Sequence, residues 1–402
     1  MEKIELLAPA GNLERLKIAL LYGADAVYFG GRNYSLRANA KNLSIPEIKE
    51  ACTYAHKLSK KVYVTVNIVF HNEDVDGLVA YLKDLEKCKV DAIIISDPLI
   101  IDIIKVNNIN LEIHLSTQYS TLNYEAVSFW RTMGVKRIVL GRETSKEEIK
   151  EIITKTGMDI EIFIHGAMCA SYSGRCVLSN YFTNRDANRG GCAQICRWNF
   201  DLLADKEKIN TNTKFTMSSK DLCMLEYLKD IINLGIKSLK VEGRMRSVYY
   251  IATVINIYRR AIDKYYDNNL TKEDIKKYRY ALNKVANRDS CDQFFNTFPT
   301  DREQYFLGRE EISNQDFLAI VSDYDGEYVT LISKNYFKVG DRVEIISPDR
   351  DTISFNIPKM YDVDGNPIEV SNHPESIIKF KLPEMVKKYD MMRISQEENY
   401  HD

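Results

Sequence analysis

Four cysteines carry the strongest chemical signal in this chain: Cys169, Cys176, Cys192 and Cys196 lie close together, separated by six, fifteen and three residues. Gly166, Gly174, Gly190 and Gly191 punctuate the same segment and permit the tight turns that bring four thiols to one centre. A zinc ribbon uses short Cys-x-x-Cys knuckles, and none occurs here, whereas an iron-sulfur cluster needs four thiolates at freer spacing. An iron-sulfur site is therefore the first reading, with structural zinc and free or catalytic thiols as the other two. Between Gly166 and Trp198, Arg175, Arg185, Arg189 and Arg197 stand against the single Asp186, a local excess of +3 (4 minus 1). That charge offsets a tetrathiolate cluster or holds an anionic ligand, unless it only lines a solvated loop. Cys223 is the substitute ligand if Cys196 is not one, while Cys52, Cys88 and Cys291 read as structural thiols.

The elements that must position these residues alternate along the first 265 positions. Strand patterns at 4–7, 26–29, 61–70, 92–96, 111–116, 137–140, 161–165 and 238–242 interleave with helical patterns such as 12–22, 45–58, 75–87, 124–133 and 145–155, with Gly23, Gly134 and Gly157 as C-terminal stop signals. Eight such units predict an α/β fold, a TIM-like (β/α)8 barrel, with a doubly wound open sheet as the alternative. After residue 165 about seventy residues pass before the next strand, an insertion at about 166–237 that holds five of the eight cysteines. Residues 315–402 read as alternating strands with Asp-Gly and Gly-Asn turns, a small C-terminal antiparallel β-barrel. The expected domains are thus 1–285, a linker at 286–314, and 315–402.

The chain has 402 residues, 45% hydrophobic and 28% charged, with 55 basic against 57 acidic residues and a net charge of −2. This excludes collagenous, coiled-coil and largely disordered classes, and any polyanion site must be a local patch. The N-terminus lacks a signal-peptide pattern, and the most apolar stretch, 92–106, is broken by Asp97, Pro98 and Asp102, so a cytoplasmic protein without a membrane span is expected.

Barrel enzymes build their sites from the C-terminal ends of strands, which nominates Asn67, Ser116, Gln118, Arg142, His165, Glu242 and Arg244. Arg142 and Arg244 suit a bidentate clamp on a dicarboxylate, or else salt bridges such as Arg244 with Glu242. His165 is either a base or a hydrogen-bonded strand-end residue. Tyr172, Tyr181, Phe182 and Trp198 near the cysteines offer flat faces for stacking, or simple packing. No His-Glu-x-x-His or Gly-x-Ser-x-Gly occurs, and the EF-hand-like run from Asn72 has Lys83 where calcium needs Glu.

The stretch Glu161-x-Phe163-x-x-Gly166-Ala167-Met168-Cys169, followed by Ser173-Gly174-Arg175-Cys176-x-x-Ser179, resembles the signature of the collagenase-like peptidase family U32. Leu7 to Asn12, Gly23 to Tyr28, Ser218 to Leu222 and Val241 to Arg244 are similar to further blocks of that family. The resemblance implies oxygen-independent hydroxylation by proteins carrying a 4Fe-4S cluster, acting on tRNA wobble uridine, ribosomal RNA or the ubiquinone ring in different branches. Chain length, the appended barrel and Cys192-x-x-x-Cys196-Arg197-Trp198 most resemble the tRNA branch, which makes 5-hydroxyuridine with prephenate as the implied hydroxyl donor. It implies Cys169, Cys176, Cys192 and Cys196 as cluster ligands, with tRNA and a small dicarboxylate donor as partners. His165 and Glu242 are the candidate catalytic residues, and Arg142, Arg175 and Arg244 the candidate substrate-binding ones. The alternatives are a collagenase-like peptidase, or a non-catalytic iron-sulfur partner in rRNA or quinone hydroxylation.

Overall fold

The computed structural model describes residues 3–36, 41–209, 215–307 and 316–396. Eight parallel strands form the larger domain: β1 (Glu5–Pro9), β2 (Ala26–Gly30), β3 (Lys61–Val66), β4 (Ala92–Ile95), β5 (Glu112–Leu115), β6 (Arg137–Val139), β7 (Asp159–Gly166) and β8 (Ser238–Val241). Each pairs with the next, and β8 returns to pair with β1 (Glu5 opposite Ser238), so the sheet closes and the TIM-like barrel is confirmed over the open sheet.

Around it lie α1 (Leu13–Leu21), α2 (Ile45–Lys57), α3 (Leu78–Lys87), α4 (Pro98–Val106), α5 (Tyr124–Thr132) and α6 (Lys146–Thr156). Their starts follow local chemistry. Ser44 with Glu47 and Ser145 with Glu148 form capping boxes, and Asn12 and Asn123 accept from the backbone N–H three residues on. Helix α3 starts at Leu78, later than the apolar pattern suggests, because a separate short turn occupies 72–74 and Gly77, at φ 83°, stands at the N-cap. Helix α4 went unread because Asp97 and Pro98 look like interruptions; Asp97 in fact caps it and Pro98 opens its first turn, where no N–H partner is needed.

Side chains facing the barrel lumen include a buried ionic group. Glu161 is fully enclosed and meets Lys240 at 2.8 Å and Arg137 at 3.3 Å, and Arg137 also meets Glu5 at 2.6 Å. Burial lowers the Lys240 ammonium, against the raising effect of Glu161. Above this floor Lys240 lies 5.4 Å from the Phe163 ring, which also carries the Arg142 guanidinium at 3.8 Å.

Between β7 and β8 the chain makes the cysteine-bearing excursion, which includes the short helix α7 (Leu178–Thr183), and then helix α8 (Leu228–Asn233). A three-residue strand, Asp221–Cys223, pairs antiparallel with the end of β7 and parallel with Ser290–Cys291. Two long helices, α9 (Val248–Tyr266) and α10 (Lys272–Val285), follow β8. The expected linker is described to residue 307, where it packs back on the excursion: Lys220 N–H donates to Glu303 O, and Tyr305 N–H to Ser218 O.

Residues 316–396 form an eight-stranded antiparallel sheet with its own apolar core around Leu331, Val343, Phe380 and Met392. It curls into a half-barrel whose edge strands, Ile353–Asn356 and Pro367–Ile368, lie at opposite ends of the order. The sequence pattern found five of its strands and missed Met391–Ile394, Met360–Tyr361 and Pro367–Ile368, the last two only two residues long. The domain docks on α1 and α9: Tyr249 stacks on Phe317 at 4.7 Å, and the Tyr22 hydroxyl donates to Tyr389 O at 2.9 Å. No helix among the described residues is long and apolar enough to cross a membrane.

Candidate functional site

The four clustered thiols open into one cavity of about 460 Å³ at the C-terminal mouth of the barrel. Gln118 after β5, Arg142 and Glu143 after β6, Ala167 to Cys169 after β7, and Glu242 and Arg246 after β8 complete its wall. Gly166 makes the entrance possible. It sits at φ 107°, and a Cβ there would stand 2.5 Å from Glu242 O, so only glycine lets the ends of β7 and β8 close up as the chain turns away.

Mouth residues tie the cysteine-bearing segment to the barrel. Glu143 accepts from the N–H and hydroxyl of Ser173 at 2.6 and 2.7 Å, Arg142 donates to Ala167 O at 2.6 Å, and Arg175 donates to Gln118 O at 2.6 Å. Arg189 pairs with Asp74 and Glu73 on the loop before α3. Within the segment, the Asn188 side chain accepts from Cys176 N–H and donates to Cys176 O, and Thr216 donates to Cys196 O.

The thiols differ in exposure: Cys169 is exposed, whereas Cys176, Cys192 and Cys196 are half-buried. Burial pushes the Cys196 thiol up, and the nearby Cys169, Cys192 and Cys176 push it further, so all four lie within electrostatic reach of one another. Backbone N–H groups of Ser171 and Leu178 donate to Cys169 Sγ and Cys176 Sγ at 3.4 Å, the kind of bond that stabilises a thiolate. Cys223 lies elsewhere, buried with its sulfur 3.8 Å from the Tyr258 hydroxyl.

The cavity lining is also cationic. Arg197, Arg246 and Arg288 line the cavity with Arg142. Arg288 meets Asp221 at 3.1 Å and Arg246 meets it at 3.5 Å, so two guanidinium groups share one carboxylate. Burial, then Arg288, hold the Arg197 guanidinium below its ordinary value. Arg288 was not legible in advance, because it reaches the mouth from the segment after α10. Arg246 was within reach of the same strand-end rule that nominated Arg244, two residues earlier.

The other nominated residues separate. Gln118, Arg142 and Glu242 line the cavity, and Glu242 pairs with Arg142 at 3.7 Å, not with Arg244. Arg244 is buried away from the cavity, donating to Ser35 Oγ at 3.0 Å, Thr65 Oγ1 at 3.3 Å and Leu36 O, so it does not join Arg142 in a clamp. Asn67 and Ser116 are buried and bonded to each other at 3.4 Å. Arg175 borders a second hollow beside Cys176. His165 faces the helix layer. A bulge where Val241 pairs with His165 turns its ring onto Tyr250 and Tyr258 of α9, with Nδ1 3.4 Å from the Tyr258 hydroxyl. Burial and the nearby Arg279 and Arg246 lower the His165 imidazole to about 3, so it stays neutral.

A closed β/α barrel with a four-thiol, arginine-walled mouth and an appended curled sheet defines the class. The chain belongs to peptidase family U32: the family profile matches residues 11–305, and that of the U32 C-terminal domain matches 313–393. It is 47% identical to tRNA hydroxylation protein P1 of Bacillus subtilis, over 98% of this chain and 95% of that protein. It is 33% identical to tRNA hydroxylation protein P of Escherichia coli, over 92% of each. A collagenase of Porphyromonas gingivalis is 33% identical over 72% of this chain and 73% of that protein.

Proposed function

We propose that this protein hydroxylates tRNA wobble uridine to 5-hydroxyuridine without oxygen, with a 4Fe-4S cluster held by Cys169, Cys176, Cys192 and Cys196. The observation that carries the reading is the convergence of all four thiols on one cavity at the catalytic end of the barrel. The donor set fits the cluster: four sulfurs, two of them already receiving backbone N–H bonds, beside a wall of guanidinium groups that offsets tetrathiolate charge. Among the described residues no three His, Cys, Asp or Glu side chains group tightly enough to hold a single metal ion. When bound, the cluster supplies one-electron chemistry.

The chain's own residues supply the rest. Replacing the C5 hydrogen of uracil by hydroxyl is a two-electron oxidation of the base, so a hydroxyl donor R–OH must bind beside it and be reduced by the same two electrons, taking a hydrogen as R–H. Arg142, Arg246 and Arg288, which line the same cavity, suit a dicarboxylate such as prephenate, through charge-assisted bonds. Glu242, held by Arg142 and the Tyr28 hydroxyl at 3.4 Å, is a carboxylate at the wall able to accept a proton. His165 has no part in this scheme. Such a substrate places the protein in the cytoplasm.

Mass spectrometry of tRNA nucleosides from strains with and without the gene tests the reading. Loss of 5-hydroxyuridine on deletion and its return on complementation are expected; unchanged 5-hydroxyuridine defeats it. The similarity to a collagenase makes peptide cleavage the second reading. The described cavity lining contains no histidine to activate a nucleophile, and gelatin cleavage by cluster-free protein would favour it.

A further inference from the structure

Helix α7 forms a ridge between two hollows. Leu178 and Ser179 border the thiol cavity, while Val177 borders the second, about 390 Å³, with Arg175 and Tyr119; Cys176 borders both. Seen from outside, the ridge is aromatic. Tyr181 is 83% exposed and Phe182 53%. Phe182 edges onto Trp198 and Phe200 at 6.3 and 6.0 Å, which stiffens the ridge from behind. The Tyr181 ring meets no other ring or cation among the described residues, and Arg185, exposed at the end of the helix, makes no ion pair there. Both side chains are exposed to solvent.

Charge distribution favours a polyanion at this place. Of the four arginines between Gly166 and Trp198, Arg189 is paired with Glu73 and Asp74 and Arg197 lines the thiol cavity, which leaves the exposed Arg175 and Arg185 to face a partner, whereas residues 316–396 carry 10 basic against 14 acidic residues, or −4. The half-barrel is therefore a poor partner for a phosphate backbone, and the ridge a good one. A single-stranded RNA loop presents unpaired bases to flat aromatic faces and phosphates to arginine.

We propose that the α7 ridge grips the single-stranded loop of the RNA substrate: Tyr181 stacks on a nucleotide flanking the modified base, and Arg185 contacts its phosphate. This rests on the tRNA reading above and goes beyond it by naming the recognition surface. The ridge stands at the edge of the thiol cavity, so a loop crossing it delivers one base inward and lays its neighbour on Tyr181.

Binding of a fluorescent anticodon stem-loop to anaerobically purified, iron-loaded protein tests this. Tyr181→Ala should weaken binding by about 5- to 150-fold, the range for loss of one base-aromatic stack, and Tyr181→Phe should restore it. Arg185→Ala should reduce the slope of log affinity against log salt by about one. Unchanged iron content and melting temperature in each variant would show that the fold is intact, as expected for side chains this exposed. Wild-type affinity in Tyr181→Ala overturns the inference, while restored 5-hydroxyuridine in cells complemented with wild type leaves the tRNA reading standing. Lowered iron loading with unaltered RNA affinity also overturns it, because the ridge would then serve a protein that delivers or reduces the cluster. If wild-type protein binds no stem-loop and restores no 5-hydroxyuridine, the tRNA reading falls first.

Discussion

Replacing Lys240 by Met tests whether the ionic floor of the barrel sustains the site above it. Lys240 is 3% exposed, with its ammonium 2.8 Å from Glu161 and 4.4 Å from the centre of the Tyr28 ring. Glu5, Arg137, Glu161 and Lys240 balance as two acids and two bases, so the substitution leaves two carboxylates to share Arg137. Breaking a buried ion pair costs about 3–5 kcal/mol. Arg137 remains 3.3 Å from Glu161, so the lower end applies, about 3 kcal/mol. With a urea slope of about 3 kcal/mol/M, the midpoint falls by about 1 M. Fluorescence of Trp130, buried in α5, reports it. A second change, Glu161→Leu, removes the stranded carboxylate and should recover most of the loss. The pH dependence has a definite sign. Burial raises the Glu161 carboxyl, but Lys240 and Arg137 outweigh it and hold it low, so in the wild type its contribution is present above the unfolded value and lost as pH falls. Without Lys240 the carboxyl loses the larger of its two lowering charges and shifts upward, and the gap between variant and wild type narrows as pH falls through the carboxyl range. A loss under about 1 kcal/mol, or a double variant no more stable than the single one, refutes the reasoning.

Ala substitution of Cys169, Cys176, Cys192 or Cys196 should lower iron and sulfide and bleach visible absorption, while Cys223→Ala should retain both; iron retained in Cys196→Ala and lost in Cys223→Ala would reassign the fourth ligand. The His165 imidazole is lowered to about 3, so its contribution is full above the unfolded value of about 6.5 and is lost as pH falls from there toward 3. His165→Gln should flatten the acid dependence of stability by up to about 1.4 kcal/mol per pH unit in that window, and leave the rate profile between pH 7 and 8 unchanged. Arg189→Ala releases the cysteine-bearing segment from Asp74 and Glu73, and hydrogen exchange across residues 170–196 should quicken while β1–β8 stay protected.

Much of the fold was legible because its signals are local. The C-terminal glycines and the β-branched runs act within one or two turns of chain, and they fixed the order of the eight units. Thiol spacing pointed to the same segment in the same way, and its four thiols do border one cavity. Which side chains face that centre was decided by tertiary structure, since direction depends on partners far along the chain. A one-residue bulge against β8 sends His165 to the helices, and the antiparallel strand Asp221–Cys223 buries Cys223 behind the cavity. Ser35, Thr65 and Leu36 draw Arg244 away, while the return of residues 286–307 brings Arg288 to the mouth. Sequence spacing specifies how often a side chain recurs on a face; only barrel closure and strand register specify what that face meets.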